Sequence, residues 1–183
     1  FQVTRALIDF ARTIEEIQRE YSVRMNRKPP LSDNPNDTKD RQKAWKSFID
    51  NIEQNPDEGC CLVLQNVSDK VPVAIAYWHL PHDSRIVSEA DHIERKCAEV
   101  SLFTRHYVPK ASMFMLLRAL VAQLKQAKVV RCFSWITQSE QDYFSGWKEV
   151  TTRKNHHRPF LYSSTLQDDW NLQVDDQAPE HAQ

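Results

Sequence analysis

Glycine is almost missing from this chain. Among 183 residues there are two, Gly59 and Gly146. Loops that cradle phosphate through backbone amides, such as the P-loop and the dinucleotide-binding fingerprint, need several glycines at fixed spacing. Both motifs are therefore excluded, and a phosphate-binding loop in this protein has to be built from other residues.

Net charge and long apolar runs are also lacking. The 24 Lys and Arg residues against 25 Asp and Glu residues give a formal net charge of −1, so no overall field attracts nucleic acid or anionic lipid. No apolar run reaches the ~18 residues that a membrane helix needs, and no signal-peptide pattern opens the sequence. The sequence predicts a cytoplasmic protein without a membrane partner, and its near-neutral charge argues against a nucleic-acid partner.

One short segment is locally basic. His156 and His157 lie between Lys154 and Arg158. Such a segment binds a phosphate group or an acidic partner, or it is an exposed turn that carries charge for solubility. The sequence leaves both interpretations open.

Cysteine pairs with metal-binding spacing are missing as well. The four cysteines lie in apolar, strand-like runs: Cys60, Cys61, Cys97 and Cys132. We interpret them as buried thiols in a reducing compartment. His79 and His82 flank Pro81, but no third ligand lies nearby in the sequence. The sequence therefore predicts no metal site.

What is present is the pattern of one α/β domain. The chain is 40% hydrophobic and 27% charged, and its length suits a single core. Apolar residues recur at helical spacing over residues 8–21 and 44–52, and two β-branched runs over 60–67 and 71–80 predict a hairpin. The pattern further predicts a strand over 97–105, a long helix starting at Pro109, a strand over 129–137, a short helical turn from Ser139 to Phe144, and a strand pair over 147–152 and 158–163.

The connections divide the chain into a domain and a tail. Residues 26–38 are rich in Pro, Asn and Asp, and residues 81–96 are charged, so both predict loops. After Thr165 the sequence carries Asp and Glu without Lys or Arg, which is typical of disorder. We predict a single domain over residues 1–163 and an acidic, disordered tail over residues 164–183.

Four short segments, in this order, resemble a known family. They are Val3 to Ile14, Pro72 to Trp78, Cys97 to Leu102 together with Leu116 to Leu120, and Gly146 to Val150. They resemble the first strand and helix, the central hairpin, the core strand with its following helix, and the Gly-Phe-x-Glu-Val segment of the GNAT superfamily of N-acetyltransferases. The resemblance implies an α/β (α+β) fold. Its mixed central sheet has about six or seven strands, with helices on both faces, in the order strand, helix, helix, hairpin, strand, helix, strand, helix, strand, strand.

The resemblance also implies a coenzyme-binding loop. GNAT proteins hold the coenzyme A pyrophosphate at a helix N-terminus, in a loop spelled Arg/Gln-x-x-Gly-x-Gly/Ala. Here that loop is Val108 to Met113, which lacks glycine altogether. The residues implied to bind acetyl-CoA or another acyl-CoA are Leu102, Thr104, Arg105, Lys110, Ala111, Ser112 and Met113. Either the cations Arg105, His106 and Lys110 replace the missing amide contacts, or they are ordinary polar residues around a helix start.

Two residues match the catalytic positions of the family. Glu99 falls on the core strand where several GNAT enzymes carry a general-base glutamate, and Tyr143 lies near the tyrosine that protonates the leaving thiolate. Alternatively, Glu99 is an outward-facing carboxylate paired with Arg95 or Lys96, and Tyr143 is half-buried packing. Because the chain is one residue short between Tyr143 and Gly146, Asp142 or Phe144 could occupy the family position instead.

The function implied by the resemblance is transfer of an acyl group, most simply acetyl, from acyl-CoA to the amine of a small molecule or protein, without a metal. Two alternatives remain at this point. One is a catalytically inactive GNAT-fold module that binds a protein partner. The other is a toxin-activating type of protein-lysine acyltransferase, which takes its acyl group from acyl carrier protein.

Overall fold

The described part of the chain contains seven strands and three α-helices. The computed structural model describes residues 1–27, 30–80, 97–129, 131–136, 148–149 and 160–165. The elements are β1 (Gln2–Arg5), a 3-10 turn (Ile8–Phe10), α1 (Ala11–Arg24), α2 (Pro35–Gln54), β2 (Gly59–Gln65), β3 (Pro72–His79), β4 (Cys97–Thr104), α3 (Lys110–Gln126), β5 (Arg131–Ile136), β6 (Lys148–Glu149) and β7 (Phe160–Thr165).

The strands form one mixed sheet in the order β1-β2-β3-β4-β5-β7-β6. Neighbours pair antiparallel except β4 and β5, which run parallel. A parallel pair needs a crossover connection, and α3 supplies it between β4 and β5. The predicted mixed α/β sheet is confirmed, and the parallel pair lies near its middle.

Helices cover both faces of the sheet, as predicted. On one face α3 buries a row of leucines, including Leu116, Leu117 and Leu120, against β2, β3 and β4. On the other face α1 and α2 bury Ile14, Ile17 and Ile49. Full burial of each such side chain contributes about 1.5–3 kcal/mol to the hydrophobic stabilisation of the fold, so both layers are needed to close the core.

Strand β3 shows why both faces have to be covered. Ala74, Ala76 and Trp78 belong to the cluster under α3, whereas Ile75 and Tyr77 lie in or against the cluster under α1 and α2. This alternation follows from the two-residue period of a strand. The small alanines allow α3 to pack closely on this strand.

Helix α2 begins much earlier than the sequence pattern predicted. Residues 26–38 were expected to form a loop, but α2 starts at Pro35. The Asn34 side chain accepts a hydrogen bond from the Asn36 amide at 2.9 Å, and proline is favourable in the first helical turn. Polar residues fill this turn, so it lacks the apolar periodicity that reveals a helix.

The hairpin and the long helix agree closely with the prediction. Strands β2 and β3 are joined at a turn where Lys70 has φ of 60° and the Asp69 carboxylate accepts from the Val71 amide at 3.0 Å. Pro109 is the N-cap of α3, so the helix itself begins one position later, at Lys110. The predicted tail began at residue 164, but Ser164 and Thr165 still belong to β7. The rest of the tail and the expected turn over 139–144 lie outside the described residues.

The described cysteines are buried thiols. Cys60, Cys61 and Cys132 are free and buried, whereas the side chain of Cys97 lies outside the described set. Burial raises the pKa of both Cys60 and Cys61 above the ordinary thiol value. Both thiols therefore stay protonated and act as small apolar side chains. Within the described ranges, no helix has the length and apolarity to cross a membrane.

Candidate functional site

The parallel strands β4 and β5 pair over only part of their length. The register joins Cys97 to Arg131, Ala98 to Cys132 and Glu99 to Phe133. Beyond these pairs β4 continues to Thr104 and β5 to Ile136 without further pairing to each other. The two strands therefore part after Glu99, and the sheet opens at its centre.

Backbone groups of β4 point into this opening. The Arg105 amide donates to Val73 of β3 at 2.8 Å, and the Val100 carbonyl accepts from the Ser134 hydroxyl of β5 at 2.7 Å. The backbone N–H and C=O groups of successive residues point to alternate sides of a strand. Those of Val100, Leu102 and Thr104 therefore face β5. Ser134 bridges the strands at the point where they part, and Leu102 lies beyond that bridge.

The residues predicted to line a coenzyme site lie on β4 beyond Glu99, directly after β4, or in the first turn of α3, and several are committed to internal contacts. The Leu102 side chain is buried in the core under α3. Thr104 is buried, and both its carbonyl and its hydroxyl accept from the guanidinium of Arg24. Arg105 forms ion pairs with Glu20 at 3.6 Å and Glu16 at 4.0 Å. The Arg105 cation is therefore already balanced by two carboxylates of α1.

The first turn of α3 is less open than a glycine loop. The amides of Ser112 and Met113 both donate to the Pro109 carbonyl at 3.0 Å. Met113 is buried among the core residues under α3, whereas Ala111 is exposed and Lys110 is half-buried. Where the family has a small residue, this chain has a buried thioether. An anion at this turn would depend on the amides that precede Ser112 and on the Lys110 ammonium.

Glu99 is held by a histidine from the neighbouring strand. It stands directly opposite His79 of β3, and its Oε2 lies 2.9 Å from the Nε2 of His79. The two side chains are 22% and 31% exposed, so the pair is partly shielded from water yet accessible. The expected alternative partners, Arg95 and Lys96, lie outside the described residues. From the sequence, His79 was a candidate only as a metal ligand, and its pairing with Glu99 was not predicted.

The surroundings of His79 favour its protonated form. Its second ring nitrogen, Nδ1, lies 3.3 Å from the Leu80 carbonyl, and an imidazole donates from both nitrogens only when it is protonated. Burial lowers the pKa of His79, but the hydrogen bond and charge of Glu99, with the Leu80 carbonyl, outweigh burial. The net pKa of His79 lies above its ordinary value.

The remaining predicted features are not joined to this site. Tyr143, with its neighbours Asp142 and Phe144, and the basic residues His156 and His157 lie outside the described residues. Among the residues that are described, no group of three or more His, Cys, Asp or Glu side chains is placed to hold a metal ion.

Comparison with solved structures identifies the fold of the chain. No protein-family model matches the sequence, and no curated protein matches it. Solved structures do match. An acetyltransferase of the GNAT family from Streptococcus pneumoniae superimposes with a TM-score of 0.58 at 10% identity, over 90% of this chain and 98% of that one. The chain has the GNAT fold.

Two further GNAT-fold neighbours carry their coenzyme. The PaiA N-acetyltransferase from Thermoplasma acidophilum, solved in complex with coenzyme A, has a TM-score of 0.59 and 12% identity, over 90% of this chain and 98% of that one. YncA, a putative acetyltransferase from Salmonella typhimurium solved with acetyl-CoA, has a TM-score of 0.61 and 13% identity, over 90% and 93%. Identities this low establish the fold, and the chemistry has to be argued from this chain's own residues.

Proposed function

We propose that this protein is an N-acyltransferase that uses acetyl-CoA or another acyl-CoA as donor and an amine as acceptor. The observation that carries the proposal is the opening between β4 and β5, with the Glu99–His79 pair at the point where the strands part. GNAT-fold neighbours solved with coenzyme A and acetyl-CoA support the choice of donor.

The backbone of β4 beyond its pairing with β5 suits a thioester. A carbonyl oxygen that becomes negative in the transition state is stabilised by a fixed N–H donor aimed at it. The Leu102 amide faces the opening by strand alternation, beyond the Ser134 bridge. We assign it the role of polarising the thioester carbonyl, while Lys110 and Ala111 at the start of α3 form the surface along which the rest of the coenzyme lies.

The Glu99–His79 pair suits proton removal. The acceptor nitrogen attacks the thioester carbon, an N–C bond forms, the C–S bond breaks, and coenzyme A leaves as a thiolate. The proton that the amine loses passes to the Glu99 carboxylate and from there to neutral His79, whose imidazolium Glu99 stabilises. The thiolate takes its proton from solvent or from Tyr143, the residue that the sequence resemblance suggests for this role. We therefore treat the base as the pair and not as Glu99 alone.

Acetyl-CoA binding is the first test. A ligand at ~100 times its dissociation constant stabilises a protein by about 2.7 kcal/mol, which for a chain of this size raises Tm by about 5–10 °C. We expect such a shift with acetyl-CoA or a longer acyl-CoA. If no acyl-CoA raises Tm, the donor assignment is wrong.

Thiol release in the presence of amines tests the base. We expect Glu99→Gln to lower kcat/KM by about 10²–10⁴-fold, while the exposed carboxylate change Glu53→Gln on α2 leaves it unaltered. The rate should rise with pH through the raised pKa of His79, because only the unprotonated pair accepts a proton. A Glu99→Gln enzyme with the wild-type rate and pH profile would eliminate the pair as the base.

A second function is favoured by the state of the coenzyme loop. Met113 is buried, two amides of the first turn are taken by Pro109, and Arg105 is paired with Glu16 and Glu20. These features leave fewer amides and cations to bind a pyrophosphate. They suit a GNAT-fold module that binds a protein partner without catalysis, or an acyltransferase whose donor is acyl carrier protein. Transfer from acyl carrier protein without any response to acyl-CoA would single out the latter.

A further inference from the structure

An aromatic pocket lies beside the Glu99–His79 pair. It has a volume of about 430 Å³ and opens between α2 and β3. Trp45 and Phe48 of α2 and Tyr77 of β3 form its wall, and His79 borders it. The three aromatic rings pack edge to face on one another, with centroids 5.2–6.0 Å apart. The wall is therefore preformed, and the pocket has the size of a small-molecule site.

The polar tips of the wall are already bonded within the protein. The Trp45 indole N–H donates to Gln18 at 2.9 Å, and the Tyr77 hydroxyl is hydrogen-bonded to Ser101. Burial raises the pKa of Tyr77 to about 12, so it stays neutral. A ligand in the pocket consequently contacts the apolar parts of these rings more than their hydrogen-bonding groups.

The charges around the pocket are also balanced internally. Arg41 borders it, but its guanidinium bonds the buried Glu15 carboxylate at 3.1 Å and the Ser32 carbonyl. Glu99 is held by His79. Among the described residues around the pocket, Glu15 is thus taken by Arg41, and Glu99 beside neutral His79 can face one ammonium, so a second positive charge on a ligand would find no counterion. Polycationic acceptors are disfavoured.

We infer that this pocket selects the acceptor, and that the acceptor is a primary amine with a compact apolar body, aryl or branched alkyl, and a single positive charge. This inference rests on the proposed transferase function. The apolar body packs against the wall that Trp45, Phe48 and Tyr77 form, and the amino group lies at the His79 end. A cation near these aromatic faces is also attracted to them before it loses its proton.

Direct binding, without any acyl-CoA, tests the pocket. The probes are phenethylamine and 1,4-diaminobutane, titrated by calorimetry. The apolar surface of a phenyl ring, once buried, lowers the dissociation constant by more than about tenfold. We therefore expect phenethylamine to bind at least about tenfold more tightly than the diamine. Equal binding, tighter binding of the diamine, or no binding of phenethylamine overturns the inference.

Substitutions that fill the pocket test whether the amine binds there. Ala44 borders the pocket on the exposed surface of α2, so Ala44→Phe introduces bulk there without disturbing the core, and Ala44→Leu introduces less. We expect phenethylamine affinity to fall about tenfold or more with Phe and by less with Leu. Lys46→Phe, at an exposed position of the same helix that does not line the pocket, should leave affinity unchanged. Wild-type affinity in Ala44→Phe overturns the pocket assignment.

Failure of this inference is distinguishable from failure of the transferase proposal. Acetyl transfer that prefers 1,4-diaminobutane to phenethylamine would refute the acceptor class and leave the transferase intact. Phenethylamine binding that Ala44→Phe abolishes, in a protein that responds to no acyl-CoA, would keep the amine pocket and remove the transferase.

Discussion

A methyl group added at Gly59 tests how closely α2 and β3 pack next to the candidate site. A Cβ built there would lie 2.8 Å from Cγ2 of Ile52 and 2.9 Å from the carbonyl oxygen of Trp78. Ordinary carbon contacts begin near 3.5 Å, so Gly59→Ala requires α2 or β3 to move by several tenths of an ångström. Overpacking of this kind costs about 1–3 kcal/mol.

The net effect is smaller because alanine restricts the unfolded chain. That restriction returns about 0.4–1 kcal/mol, and subtracting the middle of this range from the middle of the overpacking range leaves a net destabilisation of about 1–2 kcal/mol. For a chain of this length, Tm should fall by about 2–8 °C, measured by thermal and urea unfolding followed by circular dichroism. Asp57→Ala, at an exposed neighbouring position, is the control and should shift stability by less than about 0.5 kcal/mol.

The same change should reach the candidate site. Gly59 pairs with His79 in the β2–β3 register, so displacement of β3 lengthens the 2.9 Å contact to Glu99 and lowers the pKa of His79 relative to wild type. Adding Ile52→Ala removes one of the two close contacts and should recover part of the loss. A Gly59→Ala protein within about 0.5 kcal/mol of wild type, with an unchanged His79 titration, would refute the close approach.

Two further predictions concern the strands at the opening. The His79 ring signal followed by NMR should titrate above the ordinary histidine pKa, and Glu99→Gln should move it down, because burial then dominates. Since its folded pKa is raised, His79 stabilises the fold fully below the ordinary histidine pKa and loses that contribution as pH rises through the folded pKa; a stability profile with the opposite slope from this group would contradict the pairing. Ser134→Ala should cost about 0.5–1.5 kcal/mol in urea unfolding, because it removes the bond to the Val100 carbonyl at the point where β4 and β5 part. A neutral Ser134→Ala change, with Ser47→Ala at an exposed helical position as comparison, would mean that water replaces the hydroxyl.

Most of the fold was predictable from local patterns. The two-residue alternation of β3, with Ala74 and Trp78 on one face and Ile75 and Tyr77 on the other, fixes a strand that is covered on both sides. The helical period over residues 113–124 fixes α3. The start of α2 at Pro35 escaped prediction because its first turns are polar and its cap, Asn34, resembles a loop residue. Local periodicity reports burial, so it fails where a helix is solvated.

For the candidate site, the sequence predicted some residues and the tertiary structure decided their partners. The sequence alone placed Glu99 on the core strand and showed that no glycine loop is available for a phosphate. Only the tertiary structure decided that His79 is the partner of Glu99, that β4 and β5 part just beyond it, and that Arg105 is neutralised by Glu16 and Glu20. Strand register and ion pairing join residues that are distant in the chain. They depend on how the sheet is assembled, which no local pattern of side chains records.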